Sequence, residues 1–372
     1  MSVQPGFDNA SYTPAPGWAA HAPQTRWSAV AALRWQALRG LLVALVTTLL
    51  LTGATAPPKA HVDKPAAVKH YTNPVFAQDY PDPSVIKVGA HYYAYGTDPY
   101  TAWQHSGAHF PILSSTDLVH WTYVGDIFSD QPPAWAYKDY WAPSVLAWHG
   151  SYYAYYTARD SATDRLCVAV ATARRPTGPF TPRTVFGCGP ADGQGWIDPA
   201  PFMDGDGTAY LYFKVDNPYH IIAVLRLRPD LLHAAGMPKE LFTLSQGWEN
   251  GTYSTVEAPY TIKHGRLYYL FYSGSSWTST YAMGYATATS PLGPFRKSPL
   301  NPILRGTAAV PGPGGGSVVA GPHGGLWMVY HGWTGGPGND QGGLRTLRID
   351  PLVWHGDQVT VRGPTTVPQP MP

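Results

Sequence analysis

Short runs of large apolar side chains recur along the chain, each cut by a glycine-bearing pair. Tyr92-Tyr93-Ala94-Tyr95, Tyr152-Tyr153-Ala154-Tyr155-Tyr156, Tyr210-Leu211-Tyr212-Phe213, Tyr268-Tyr269-Leu270-Phe271-Tyr272 and Leu326-Trp327-Met328-Val329-Tyr330 are rich in the ring-bearing and branched residues that favour strands. Just upstream of each stands a turn pair: Gly89-Ala90, His149-Gly150, Asp206-Gly207, His264-Gly265 and Gly324-Gly325. Glycine supplies the positive φ that tight hairpins need. Before each turn lies a second apolar run, such as Val85-Ile86 or Val145-Leu146, so every unit predicts a hairpin.

The units begin at residues 82, 142, 198, 257 and about 315, a spacing of 56 to 60 residues. More strand-like sequence follows each hairpin. Two copies are close: Val170-Ala171-Thr172-Ala173 to Gly178-Pro179-Phe180, and Tyr285-Ala286-Thr287-Ala288 to Gly293-Pro294-Phe295. Five units with some four strands each predict an all-β fold, a five-bladed β-propeller. The alternative is a β-sandwich, against which the even period argues. One stretch departs from β character: Pro229 to Leu244 contains Asp230-Leu231-Leu232-His233-Ala234-Ala235, predicting one inserted helical turn.

Composition supports this class. Charged residues are 13% and aromatic residues also 13%, with Trp 14 and Tyr 25. That is the reverse of a disordered chain. Net charge is only +2, which gives no footing for nucleic acid or an anionic membrane surface. Residues 1–60 alone carry +3, with Arg26, Arg34, Arg39 and Lys59 against one acid, Asp8, which leaves −1 for the rest. There a basic lead precedes the apolar run Leu41 to Leu51 and small residues at Thr52-Gly53-Ala54-Thr55-Ala56. The run is short of the roughly 20 residues a span needs and reads as a secretory signal. An uncleaved anchor is the alternative. The expected organisation is therefore a leader over 1–60, a propeller over 61–365 and a Pro-rich tail over 366–372, secreted and monomeric. In an extracellular chain, the even count of Cys167 and Cys188 favours a disulfide over two buried thiols.

The first strand of a propeller blade lines the central channel, so equivalent positions form a ring. Here that ring reads Asp82, Ala142, Asp198, Glu257 and Gly315. Packing gives no reason for three acids there. Crowded, desolvated carboxyls shift one another's pKa upward, which yields one protonated and one ionised group at neutral pH. A facing pair is the general solution for glycosidic bond cleavage. From the residues alone, inversion and retention both stay open.

Tyr80-Pro81-Asp82-Pro83-Ser84-Val85, Trp141-Ala142-Pro143-Ser144-Val145, Trp196-Ile197-Asp198-Pro199 and Val256-Glu257-Ala258-Pro259 resemble the signature blocks of glycoside hydrolase family 43, the family of arabinanases, α-L-arabinofuranosidases and β-xylosidases. The resemblance covers about residues 71–363. It implies a five-bladed propeller and an inverting mechanism, with Asp82 as general base, Glu257 as general acid and Asp198 as the residue that orients the acid and raises its pKa. It also implies the Cys167–Cys188 disulfide and makes Gln246-Gly247-Trp248-Glu249 and Gly312-Pro313-Gly314 familiar blocks. Many members carry His after the last of these, where it helps bind a central ion, often calcium. This chain has Gly315 and Gly316, so no cofactor is expected to be required, and a calcium held through water or His331 is the remaining alternative.

Trp141, beside the channel position of blade two, is expected to form a sugar platform. Trp103, Phe110 and Trp277, in loops near the funnel, are expected to contact substrate. His331 ends a returning strand and is expected to reach substrate or ion. Arg345 is expected to clamp sugar hydroxyls or a carboxylate with its planar fork. Asp79 is expected to cap the entering chain, and Asp204 and Asp206 resemble only a fragment of a calcium loop. The expected activity is secreted hydrolysis of arabinose-containing plant polysaccharide, as arabinan endo-1,5-α-L-arabinosidase or α-L-arabinofuranosidase. A β-xylosidase on xylo-oligosaccharides and a non-catalytic sugar-binding propeller are the alternatives.

Overall fold

The computed structural model describes residues 69–101, 103–104 and 107–372. The leader over 1–60, and the signal reading with it, lies outside the described residues. Among the described residues no helix is long and apolar enough to cross a membrane.

A short strand β1 (His70–Tyr71) leads in. Blade one is β2 (Ser84–Val88), β3 (His91–Tyr95), β4 (His109–Ser115) and β5 (Thr122–Phe128). Blade two is β6 (Ala136–Trp148), β7 (Ser151–Asp160), β8 (Leu166–Ala173) and β9 (Thr181–Gly187). Blade three is β10 (Trp196–Met203), β11 (Ala209–Val215), β12 (Ile221–Arg226) and β13 (Lys239–Phe242). Blade four is β14 (Val256–His264), β15 (Leu267–Gly274) and β16 (Ala282–Ala288), with β17 (Arg296–Lys297) and β18 (Leu304–Arg305) both pairing β16. Blade five is β19 (Gly314–Ala320), β20 (Leu326–Thr334), β21 (Leu344–His355) and β22 (Gln358–Val361). The pairings between these strands are all antiparallel, and the first strands β2, β6, β10, β14 and β19 contact one another in a closed circle. The five-bladed propeller is thus the fold.

Large rings fill the wedges between blades, because radial sheets diverge outward and leave gaps that small residues cannot close. Tyr95, Phe110, Phe128, Tyr140 and Tyr156 occupy the wedge between blades one and two. Tyr80, Tyr92, Leu113, Val329, Leu347 and Ile349 occupy that between blades five and one. Each such fully buried side chain contributes roughly 1.5–3 kcal/mol.

One expectation is corrected. The segment around Asp230 is not helical: Asp230 Oδ1 accepts from the N–H groups of Leu232 (2.9 Å) and His233 (3.2 Å), and Leu227 bridges Ala234. Such Asp-backbone bonds favour a turn over helix. The Pro-rich tail closes the chain onto its described start. Strand β23 (Gln369–Pro370) pairs β1 antiparallel, and Met371 packs on the cluster between blades five and one.

Cys167 on β8 is bonded to Cys188 after β9, at a sequence separation of 21. In the chain-entropy model a loop of that size contributes roughly 3 kcal/mol. Replacing both cysteines with Ser is expected to lower the melting temperature by roughly 5–10 °C. Equal melting curves would assign the loop's stability to its packing alone.

Candidate active site

The first strands of blades two to five each carry a bulge next to the axis. The pairing register shifts between Trp141 and Ser144, Ile197 and Ala200, Glu257 and Tyr260, and Gly314 and Ser317. The residues in these bulges, Ala142 (φ 44), Asp198 (55), Ala258 (49) and Gly315 (57), and Asp82 (51) just before β2 all adopt left-handed backbone. That conformation strains a residue with a Cβ by roughly 1–3 kcal/mol and tends to cluster at functional sites. The ring position of blade four is therefore Ala258, not Glu257. Glu257 stands one residue earlier, where blade two has Trp141 and blade three Ile197.

A side chain receives the bulged N–H at every joint. Ala142 N–H donates to Thr97 Oγ1 (2.7 Å), Asp198 N–H to Thr157 Oγ1 (3.1 Å) and Gly315 N–H to Ser273 Oγ (3.0 Å). Asp82 N–H donates to His331 Nδ1 (3.0 Å). Each acceptor comes from the second strand, or its end, of the preceding blade. In blade three the equivalent residue is Lys214, which cannot accept, and Ala258 N–H donates to Asp198 Oδ2 instead (2.9 Å). This frees Lys214 Nζ to meet Glu257 Oε2 at 2.8 Å and Asp216 Oδ1 at 2.7 Å.

The acids thus occupy different surroundings. Burial pushes the Asp198 carboxyl well above the usual carboxylate range, helped by the charges of Glu257 and Asp82 and opposed by Lys214. The expected assignment had Asp198 raising Glu257; here Asp198 itself is raised. Burial opposes the Lys214 charge, but Glu257, Asp216 and Asp198 outweigh it and hold the ammonium above its ordinary pKa. Asp82 Oδ2 accepts from Thr97 Oγ1 at 2.7 Å, and Arg345 Nη1 stands 3.8 Å from the same oxygen. Burial, then Arg345, lowers His331 well below its usual range. His331 is therefore neutral, with Nδ1 accepting from the Asp82 N–H and the proton on Nε2. Tyr281 stacks on it with ring centroids 5.8 Å apart and faces the same three carboxylates.

A carboxyl whose pKa is raised on folding stabilises the fold below the ordinary carboxylate range and loses that contribution as pH rises through the raised value. Asp198→Asn keeps an acceptor for Ala258 N–H and removes the titration. The variant is expected to melt higher than the parent above neutrality, with the difference shrinking in acid. Melting curves that differ by the same amount at every pH would contradict the raised carboxyl.

The remaining expected contacts divide. Arg345 lies with its guanidinium 5.7 Å from the Trp277 ring and 5.8 Å from that of Trp333, aimed at Asp82. Trp277 is 40% exposed at the rim. Trp141 is half-buried beside Ala142. Phe110 is corrected: it is fully buried, with its ring 5.5 Å from Tyr156 and 5.7 Å from Tyr140. Its left-handed backbone (φ 63) turns the ring into the wedge. Trp103 is also a packing residue, its indole N–H on Asp79 O (2.7 Å) and its edge on Phe76 and Tyr123. Asp79, expected as a local cap, joins distant segments by accepting from Tyr100 N–H (2.6 Å) and Arg345 N–H (2.8 Å). Asp204 is tied to Lys263 (2.9 Å) and Tyr268 (2.5 Å). The Gln246–Glu249 block is a one-turn support whose buried Glu249 accepts from Ser245 N–H, Gln246 N–H and Tyr272.

Beneath the acids the axial channel narrows to a cavity of about 40 Å³ lined by Asp82, Ser84, Ser144, Asp198 and Ser317. Among the described residues no three His, Cys, Asp or Glu side chains are grouped to hold a metal ion. His331 turns a protonated Nε2, not a lone pair, to its surroundings, and an added Cβ at Gly315 would lie 2.5 Å from Asp82 Oδ1. These residues do not fit direct ligation of a calcium ion.

A propeller with carboxylates converging at its axis defines a class of glycosidase. The family model "Glycosyl hydrolases family 43" matches residues 71–360, and the chain belongs to that family. It is 31% identical over 275 residues to the β-D-galactofuranosidase xynD of Aspergillus niger, covering 70% of this chain and 75% of that protein. It is 27% identical over 251 residues to an extracellular endo-α-(1→5)-L-arabinanase of Thermotoga petrophila, covering 58% of this chain and half of that protein. A solved thermostable family-43 glycoside hydrolase superposes with a TM-score of 0.72 at 35% identity, over 81% of this chain and 99% of the other.

Proposed function

We propose that the chain is an inverting furanosidase that removes or cuts α-L-arabinofuranosyl units in plant polysaccharide outside the cell. Supporting this is the unequal trio: Asp198 buried with a raised pKa, Glu257 held through one oxygen by Lys214, and Asp82 oriented by Thr97, His331 and Arg345. Asp82 acts as the base that takes a proton from water as the water attacks the anomeric carbon. Glu257, with Oε2 accepting from Lys214 Nζ, gives a proton held on its other oxygen to the leaving oxygen. Asp198, its pKa raised by burial and by the charges of Glu257 and Asp82, sets the field between them. Each proton moved is returned when product leaves, so no cofactor is required. Trp141 and Trp277 offer ring faces for sugar.

The test is the product pattern of the full chain on linear arabinan. Arabinose or short oligosaccharides should appear with inverted anomeric configuration in early NMR spectra; product length separates exo from endo action. A β-D-galactofuranoside is the second substrate to try, favoured by the Aspergillus relative, since its ring matches an α-L-arabinofuranosyl ring with one added hydroxymethyl group. Turnover of xylo-oligosaccharides alone would overturn the furanoside assignment in favour of β-xylosidase activity.

A further inference from the structure

A cavity of about 410 Å³ lies away from the carboxylates, against about 40 Å³ for the axial channel. That volume is within the roughly 300–1,000 Å³ of small-molecule sites. Its floor is the lateral row Tyr153, Thr172 and Thr181, which pair side by side across β7, β8 and β9. Its rim carries Arg174, Arg175 and Arg183. Ser151, which also lines it, follows the hairpin turn and pairs Trp148, six residues along β6 from Ala142. At about 3.3 Å per residue the cavity opens about 20 Å along the blade from the acids, at its opposite end.

Arg174 Nη1 donates to Ser151 Oγ at 3.1 Å and Arg183 Nε to Thr172 Oγ1 at 2.8 Å. Each bond orients a guanidinium while using one of its five donors. No Asp or Glu lines the cavity, and none of the three guanidiniums has a carboxylate partner among the described residues. In a chain with 13% charged residues, three guanidiniums without a carboxylate partner among the described residues stand together at one hollow.

We propose that this cavity is a second carbohydrate site, for a carboxylate-bearing sugar. Planar guanidinium forks match a carboxylate bidentately. The hydroxyls of Ser151, Thr172 and Thr181 suit ring hydroxyls, and Tyr153 offers an apolar face. A bare inorganic anion would use only the arginines. Holding an acidic stretch of a long chain here raises the local concentration of its neutral branches at the other mouth of the propeller. The choice of ligand rests on the polysaccharide assignment, but the test reads binding rather than hydrolysis.

The full chain is titrated calorimetrically with trigalacturonate, with its methyl ester and with inorganic phosphate. Trigalacturonate is expected to bind at least about tenfold more tightly than the ester, a difference of about 1.4 kcal/mol. Arg174→Gln/Arg183→Gln is expected to lose that preference while hydrolysing a small neutral furanoside at the parent rate. Equal binding of acid and ester, or unchanged binding by the double variant, overturns the site. Phosphate binding as tightly as the trisaccharide reduces it to an anion site and overturns the sugar assignment. Specific binding by a chain without glycosidase activity supports the site and sinks the furanosidase assignment alone.

Discussion

Glu257→Gln is expected to lower turnover of arabinan by roughly 10²–10⁴-fold, the usual contribution of a general acid, while sugar binding persists. The amide keeps an oxygen for Lys214 Nζ, 2.8 Å away in the parent, so the site's shape is preserved and only the transferable proton is lost. The loss should be largest for a sugar leaving group and much smaller for an aryl furanoside whose phenolate leaves unprotonated. That contrast distinguishes a missing acid from a damaged pocket. Equal losses on both substrates would remove Glu257 from the acid role. A parent chain that binds arabinan without turning it over would leave a binding propeller.

The second large effect is expected at Lys214. Its ammonium is almost wholly buried, 2.7 Å from Asp216 and 2.8 Å from Glu257. Lys214→Met removes a charge-assisted bond of about 1.5–3 kcal/mol, or about 10–100-fold in rate if it is made fully in the transition state. It also removes the cation that opposes the rise of Asp198, so that carboxyl moves further up. The pH–rate profile should then shift to higher pH, with the melting temperature lowered because carboxylates remain buried without their partner. Lys214→Arg should recover the profile in part. A rate within about twofold of the parent and an unmoved profile would make Lys214 a purely structural residue.

The fold was legible because it is written five times. Hairpins with turn glycines at an even spacing carry architecture without any long-range information. Asp82 and Asp198 were legible for the same reason, each standing before a proline at the same point of its unit. Glu257 was found as an acid but placed one residue out, because the Xaa-Pro pair of blade four is Ala258-Pro259 and the bulge that separates the two positions leaves no mark in composition. Lys214, Thr97 and Tyr281 were missed. The first two belong to the row Thr97, Thr157, Lys214, Ser273, His331, which emerges only when second strands are aligned by register; a lysine among hydroxyls there was the available signal. Phe110 and Trp103 show the opposite error, since a ring near the funnel in sequence packs as readily into a wedge between blades.

The circle of blades has one joint unlike the others. Blade five is built from consecutive strands, so no strand is exchanged between the first and last blades. Side-chain packing, the Ser317 hydroxyl on Pro83 O (2.9 Å) and the small β1–β23 pair fasten it. The base belongs to this clasp: Asp82 lies on one side, while His331 and Arg345 lie on the other, about 250 residues later in the chain. Synthesis delivers Asp82 about 250 residues before its support. A chain interrupted before Arg345 would carry every carboxyl of the trio yet no seated base, which makes activity a report on completion of the ring and loosening of the clasp its first route to failure.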